Sequence, residues 1–341
     1  MDKKNISVLT AISFAAVLTL AACGGGGGGS NDSSATGANT SSAGSGNSGS
    51  SSGSTLPATH NVATPQYAAG SVQLAMFNQL NTYRQQCGFS PVVENTVLDQ
   101  AAQAHATYLG LNNVVSDTED TSKQGYTGVT YADRATKFGF PQGAYSTGVS
   151  AGGVYTNATL SNDQYASKLL NSWLAGVYHI ALIAWPITEV GVGESQTTAN
   201  GFPVAWGSVS MANLTAMTTS GPLTFPCQGT SGVPYATAVG ETPTPPNTSG
   251  QWGTPVAVTG NSGDTVRLAS GTMTDASGSV ITLQLLDSSN DPNKLLPNYE
   301  AVAYPASPLK PNSTYDVSLT GTYNGAAFSR TFTFATGTSA G

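Results

Sequence analysis

One histidine, His179, stands in the run NSWLAGVYHIALIAWPITEVGVG (residues 171–193) among side chains that hardly ionise. An imidazole so placed is a general base, a metal ligand or a ring buried for its shape, and the polar groups that reach it decide which. Asp117, Glu119 and Asp120 lie close together in SDTEDTS, but the segment lacks the alternating oxygen ligands and glycine of an EF-hand loop, so a solvated loop is the plainer reading. If His179 were the base of a hydrolase, Asp163 or Glu189 would have to orient it. Gly148-Val149-Ser150-Ala151-Gly152 matches G-x-S-x-G, yet a chain this rich in Gly and Ser yields such a match by chance, and the parallel strand-turn-helix context is missing. A zinc-type centre takes three or four protein ligands, which a single imidazole does not supply. His105 falls on the apolar stripe of a helix and reads as core; His60 falls in a polar tether and reads as solvated. Trp173, Trp185 and Trp206, with Tyr178, are candidates to line an apolar groove, against the alternative of core packing.

The elements that must position these residues follow from periodicity. Val72, Met76, Phe77, Leu80 and Tyr83 recur at helical spacing and stop at Gly88. A second helix begins after Asn95, with Leu98, Ala101, Ala102, His105 and Leu109 on one stripe. A third begins at Ser161, whose partner three residues on, Gln164, makes a capping box, and Tyr165, Leu169 and Trp173 mark its buried side. VGVGES and FPVAWGSVSM, near residues 190–211, read as short strands, and helices followed by strands suggest α+β layers. Prolines and threonines dominate 234–246. Beyond them TPVAVTG, DTVRLASGTMTD, SVITLQLLDS, EAVAYPA, TYDVSLTGTY and AAFSRTFTFATG are strand-like, and Asn324-Gly325 is a two-residue hairpin signal, so a small β-sandwich is expected there.

Composition sets the surroundings. Of 341 residues only 9% are charged and the net charge is −7, so no basic surface is available for nucleic acid or an anionic membrane. Lys3 and Lys4 precede an apolar run from Ile6 to Ala22, a secretory signal pattern. The run ends in Leu20-Ala21-Ala22-Cys23, which resembles a bacterial lipobox, where the signal is cut before a cysteine that carries lipid. The resemblance implies a bilayer partner through Cys23 and, with no Asp after that cysteine, the outer membrane of a Gram-negative host. Gly24 to Leu56 is a Gly/Ser tether, and about 33 such residues span on the order of 30 Å. Cys87 and Cys227 remain, and in an oxidising compartment an isolated pair reads as a disulfide.

LNTYRQQCGFSPVVENTVLDQAAQAHATYL, GYTGVTYADRATKFGF and W-x5-H followed by EVGVG, in that order, resemble the CAP superfamily (cysteine-rich secretory, antigen 5 and PR-1 proteins) in its bacterial form, over about residues 70–227. The resemblance implies an extracellular α-β-α sandwich whose cleft, in many members, carries two histidines and two acids able to hold a divalent cation. Here Asp117 (or Ser116) stands in place of the first histidine, and Glu119 and Asp120 remain nearby. Val149 stands in place of the glutamate of the G-E-N-I segment. His179 matches cleanly, six residues after Trp173, but Ile180 replaces the usual following Arg. The C-terminal segment is similar to Ig-like sandwiches of exported bacterial proteins.

The expectation is an α+β chain: signal peptide 1–22, lipidated Cys23 and disordered linker 23–68, CAP domain 69–228, Pro/Thr linker 229–247, and an Ig-like β-sandwich 248–338. Its expected role is non-catalytic binding of an apolar or glycan ligand at the cell envelope, with no cofactor. A metal-assisted or peptidase-like hydrolase centred on His179, with a divalent cation, is the alternative reading, and a structural surface spacer is a third.

Overall fold

The computed structural model describes residues 60–219, 221–248 and 250–341. Along the chain run β1 (Asn61–Val62), α1 (Val72–Gln86), β2 (Val93–Asn95), α2 (Thr96–Asn112), α3 (Tyr131–Lys137), β3 (Ser146–Val154), α4 (Asn162–Leu174), α5 (Ala181–Ala184), β4 (Ile187–Ala199) and β5 (Phe202–Leu214). They are followed by nine strands: β6 (Leu223–Phe225), β7 (Ser231–Val233), β8 (Val256–Thr259), β9 (Val266–Asp275), β10 (Val280–Thr282), β11 (Gln284–Asp287), β12 (Glu300–Tyr304), β13 (Thr314–Tyr323) and β14 (Ala326–Thr336).

Helix starts are set by local side-chain chemistry. Ser71 Oγ accepts from Leu74 N, Asn95 Oδ1 accepts from Val97 N and Leu98 N, and Ser161 with Gln164 forms the full capping box. A second capping box, Thr130 with Asp133, opens α3, a helix that the apolar pattern alone does not reveal.

The first sheet has the order β1-β2-β4-β5-β3. Its pleat explains the VGVG motif. Gly191 and Gly193 of β4 face α2, and a Cβ on either would lie 2.0 or 2.2 Å from the α2 backbone at Leu98 or Ala102. Opposite them on β5 stand Ser210 and Ser208, so small residues let α2 lie flat on the sheet. The alternate residues Val190, Val192, Val209 and Met211 enter the core with α1 and α4. The result is an α-β-α sandwich. β4 and β5 each run for 13 residues, where the sequence suggested short strands, because Asn200-Gly201 (φ 50° and 80°) closes a tight hairpin between them.

The remaining strands form two all-β sheets, β11-β12-β8-β6 and β10-β9-β13-β14-β7. Asn324-Gly325, both at positive φ, joins β13 to β14 as their residue types require. β6 pairs with β8, and β7 runs parallel to β14, so segments before residue 248 supply an edge strand to each sheet. The segment 229–247 is therefore no free linker: it carries β7 and buries Val233, Ala236 and Glu241. Residues 60–68 likewise depart from the disordered linker expected for 23–68. β1 pairs with β2, Gln66 N donates to Glu94, and Tyr67 Oη donates to Asp99. The disulfide Cys87–Cys227 joins the end of α1 to the segment between β6 and β7, with Cα atoms 5.4 Å apart. One apolar core runs from α1 and α4 through Phe225 and Trp252 to Val302 and Phe334, and residues 60–341 belong to one compact unit.

Candidate functional site

Two buried polar clusters contain the sequence-selected residues, and the pleat of β3 separates them. Val149 and Ser150 are successive residues of one strand, so they point to opposite faces. Ser150 joins α2 and α3; Val149 joins the layer that holds Tyr178.

On the α2 face His105 is the hub. Its imidazole is fully buried, with Nδ1 2.8 Å from Glu119 Oε1 and Nε2 2.9 Å from the Ser116 carbonyl and 3.0 Å from Ser150 Oγ. Tyr131 Oη donates to Asp117 Oδ1 at 2.7 Å and contacts Ser150 Oγ at 2.5 Å. Arg134 lies over the Tyr131 ring, donates to the carbonyls of Gly128, Val129 and Asp117, and sits 3.8 Å from Glu119. Glu119 also accepts from the backbone of Thr127 and Gly128. Burial drives the Glu119 carboxyl pKa upward, but the bonds to His105 and Thr127 and the charge of Arg134 outweigh it and hold the group below its ordinary value. Burial pulls the His105 pKa down, against the opposing pull of Glu119.

Ser150, His105 and Glu119 stand in the order nucleophile, base, acid, yet the bonding opposes that chemistry. The Ser116 carbonyl can only accept, so Nε2 carries a hydrogen and has no lone pair for the Ser150 proton. Tyr131 gives its own proton to Asp117, which directs the Ser150 hydroxyl towards Tyr131. Ser150 is also 5% exposed and lies within β3, not on a strand-to-helix elbow. Thus the discounted G-x-S-x-G match stays discounted, while His105, read as a plain core residue, is the centre of a polar network.

His179 belongs to the second cluster. Arg84, wholly buried on α1, donates Nη1 to the carbonyls of Ile183 and Trp185 and Nη2 to Ile187, which fixes the segment after α5. Burial lowers the Arg84 pKa to about 9. His179, 4% exposed, places Nδ1 2.9 Å from Glu241 Oε2, and the other Glu241 oxygen accepts from Tyr178 N at 2.8 Å. Burial works to depress the His179 pKa; the bond to Glu241, its charge and that of Asp117 prevail and raise it. Tyr178 Oη donates to Asp291 Oδ1 at 2.9 Å and accepts from Asn293 at 2.7 Å, and Trp185 Nε1 donates to Glu300 Oε2 at 2.6 Å. Burial pushes the Glu300 carboxyl up to about 8. Three acids from beyond residue 228 (Glu241, Asp291 and Glu300) thus meet Tyr178, His179 and Trp185. Beside Tyr178, Trp185 and Glu300 is a cavity of about 20 Å³, lined also by Val149, Leu295 and Leu296 among others but not by His179, Glu241 or Asp291. That volume holds about one water molecule.

The acids proposed to orient His179 are elsewhere. Glu189 accepts from Asn95 and Asn213, and Asp163 is exposed on α4. Asp120 is exposed and holds Ser122. The aromatic groove is also not formed: Trp173, Trp206 and Tyr178 are buried, and Trp185 is only partly exposed. The residue that sequence reasoning missed is Glu241. The available signal was its isolation as the one carboxylate in PYATAVGETPTPPNTS (234–249).

A divalent cation does not fit this donor set. His105 and His179 each set Nδ1 against a different carboxylate, and Asp117 contributes one buried oxygen without a hydrogen-bond partner, Oδ2. Among the described residues no three His, Cys, Asp or Glu side chains converge as a metal site would require.

Residues 77–210 match the model of the cysteine-rich secretory protein family, CAP. Among solved structures, an outer surface protein from Borrelia burgdorferi is similar at 18% identity, over 46% of this chain and 98% of that chain, with a TM-score of 0.33. No curated protein matches the chain. The α-β-α sandwich and the EVGVG strand fall on the residues that match the CAP family model, and additional all-β sheets follow in the C-terminal region.

Proposed function

We propose that this chain is a surface-anchored CAP-domain lipoprotein that binds a ligand at the cell envelope and does not transform it. The observation that carries this reading is the closure of His179. The one imidazole that matches the family cleft is 4% exposed and tied to Glu241 through Nδ1, and its neighbours Tyr178 and Trp185 are held by Asp291 and Glu300. General acid-base work needs a side chain within reach of a substrate proton, and an imidazole with its side chain only 5% exposed offers a substrate no approach. The hydrolase alternative would need both His179 and a nucleophile open to solvent.

The anchor is Cys23, which lies outside the described residues; its support is the LAAC sequence and the long Gly/Ser tether. The C-terminal sandwich is read as Ig-like. The support is its strand order: β6, β8, β12 and β11 take the places of A, B, E and D, and β9, β13 and β14 those of C, F and G. The ligand class proposed is an apolar molecule or a glycan.

The test is metal analysis and hydrolase assay of the delipidated chain. Titration with Zn²⁺ or Mg²⁺ is expected to leave no stoichiometric metal, and ester and peptide substrates are expected to show no turnover that Glu241→Gln alters. A bound metal at one per chain, or turnover lost in His179→Ala, overturns the reading. Cys23→Ser should release a soluble form; a mutant that stays with the membrane rejects the anchor.

A further inference from the structure

Residues 60–68 lie along the edge of the first sheet, and two acids hold them there more than strand pairing does. β1 is only two residues long, with Asn61 opposite Asn95 and Val62 opposite Glu94. Beyond it Gln66 N donates to Glu94 Oε2 at 2.6 Å, and Tyr67 Oη donates to Asp99 Oδ1 at 2.5 Å, an oxygen that also accepts from Val192 N at 2.9 Å. Glu94 is 2% exposed, and its side chain is hydrogen-bonded to that of Asp99. Two carboxylates bond to each other only when one of them carries a proton, so the closed segment encloses a hydrogen shared between β2 and α2. Burial, with the bond and charge of Glu94, pushes the Asp99 carboxyl up to about 7 against the opposing bonds from Tyr67 and Val192. The other groups around Asp99 do not supply a counter-charge. Tyr67 is neutral, its phenol held well above the ordinary range by burial and then by Asp99, and α1 presents the Phe77 ring, 5.7 Å from that of Tyr67. The acids of β4 bond elsewhere, Glu189 to Asn95 and Asn213 and Glu194 to Gln196, and exposed His60 touches α2 through its carbonyl. Among the described residues no cation forms an ion pair with Glu94 or Asp99.

We propose that residues 60–68 form a proton-controlled strap, closed over the edge of β2 while Glu94 and Asp99 share a hydrogen and released when the pair loses it. The sign follows from linkage. An opened strap returns Asp99 to water and to its ordinary value of 3.8, below the closed-state value of about 7. Closure is therefore strongest below about pH 4, weakens by up to about tenfold per pH unit above it, and levels off beyond about pH 7. Release has two structural consequences. Residues 60–68 join the Gly/Ser run that precedes them in the sequence, and β2, which lies between β1 and β4, becomes an edge strand. A bare edge carries unpaired N–H and C=O groups that another extended chain can pair with, so the shared hydrogen governs whether that edge is available.

The experiment is amide hydrogen exchange on the delipidated chain from about pH 5 to 8.5, corrected for the intrinsic pH dependence of exchange, with the Asp99 carboxyl titrated by NMR. The amides of Gln66 and Val192, which donate to Glu94 and Asp99, report on the strap; Val209, paired on both sides within the same sheet, is the internal control. Protection of Gln66 and Val192 is expected to fall by about tenfold or more between pH 5 and 7 and to change little above pH 8, while Val209 keeps its protection. Asp99→Asn keeps the acceptor for Tyr67 and Val192 and offers Glu94 a hydrogen that does not titrate, so its strap amides should show no such fall. Tyr67→Phe removes one donor and should lower their protection at every pH while preserving the dependence on pH, a comparison that stands even if Asp99→Asn fails to fold. PH-independent protection in the wild type, a fall in Val209 equal to that in Gln66, or the wild-type dependence retained in Asp99→Asn overturns the strap. So does an Asp99 carboxyl that titrates at the ordinary aspartate value.

Discussion

Replacing Glu241 by glutamine tests the buried His179–Glu241 pair at its most informative atom. The carboxylate faces His179 Nδ1 at 2.9 Å and accepts from Tyr178 N at 2.8 Å, with the His179 and Glu241 side chains 5% and 4% exposed. Glutamine keeps the shape and one acceptor but loses the charge. Hydrogen bonds to a charged group contribute about 1.5–3 kcal/mol and neutral ones about 0.5–1.5, so changing two of them costs about 2–3 kcal/mol. At roughly 2–4 °C per kcal/mol, the melting temperature should fall by about 4–12 °C. The loss depends on pH. His179 has a folded-state pKa above its ordinary value of 6.5, so its contribution is complete below that value and fades as pH rises through the folded pKa. The gap between wild type and Glu241→Gln should therefore be widest near pH 5.5–6 and should narrow as pH rises. Melts from pH 5.5 to 9, with the His179 ring followed by NMR, make the measurement. Two parallel curves, or a His179 that titrates at the ordinary histidine value in the wild type, would refute the argument.

Other substitutions probe independent parts of the same architecture. Glu300 is wholly buried with a pKa raised from 4.5 to about 8, so wild-type stability should fall as pH rises across that window; Glu300→Gln, which cannot ionise, should be more stable than wild type at pH 9 by as much as about 5 kcal/mol in denaturant melts. Gly193→Ala would set a Cβ 2.2 Å from the α2 backbone and should cost about 1–3 kcal/mol, whereas Gly201→Ala in the hairpin meets nothing within 4 Å and loses only its preferred positive φ; equal stabilities for the two would contradict the flat packing of α2. Removing the disulfide by Cys87→Ala with Cys227→Ala opens a loop of 140 residues and should cost about 5 kcal/mol in the chain-entropy account, read as a denaturant midpoint that in the wild type shifts on reduction.

The sequence by itself determined whatever is written within a few residues or within one period. The caps at Ser71, Asn95 and Ser161, the stripe that buries His105, the Asn324-Gly325 hairpin and the small-residue pattern of EVGVG are local, because each depends on hydrogen bonds or packing along one segment. The Cys87–Cys227 pair was legible for a different reason: once Cys23 is set aside, only two thiols remain. The partners of the buried charges were not legible. His179 and Glu241 are 62 residues apart and His105 and Ser150 are 45 apart, and no periodicity links such positions. Nor does composition reveal that 229–247, rich in Pro and Thr, gives a strand to a sheet and a carboxylate to His179. Tertiary structure decided these matters because a desolvated charge must be paired by whichever distant segment the packing brings to it. In this chain that segment comes from the C-terminal region, which brings Glu241 to His179, Asp291 to Tyr178 and Glu300 to Trp185.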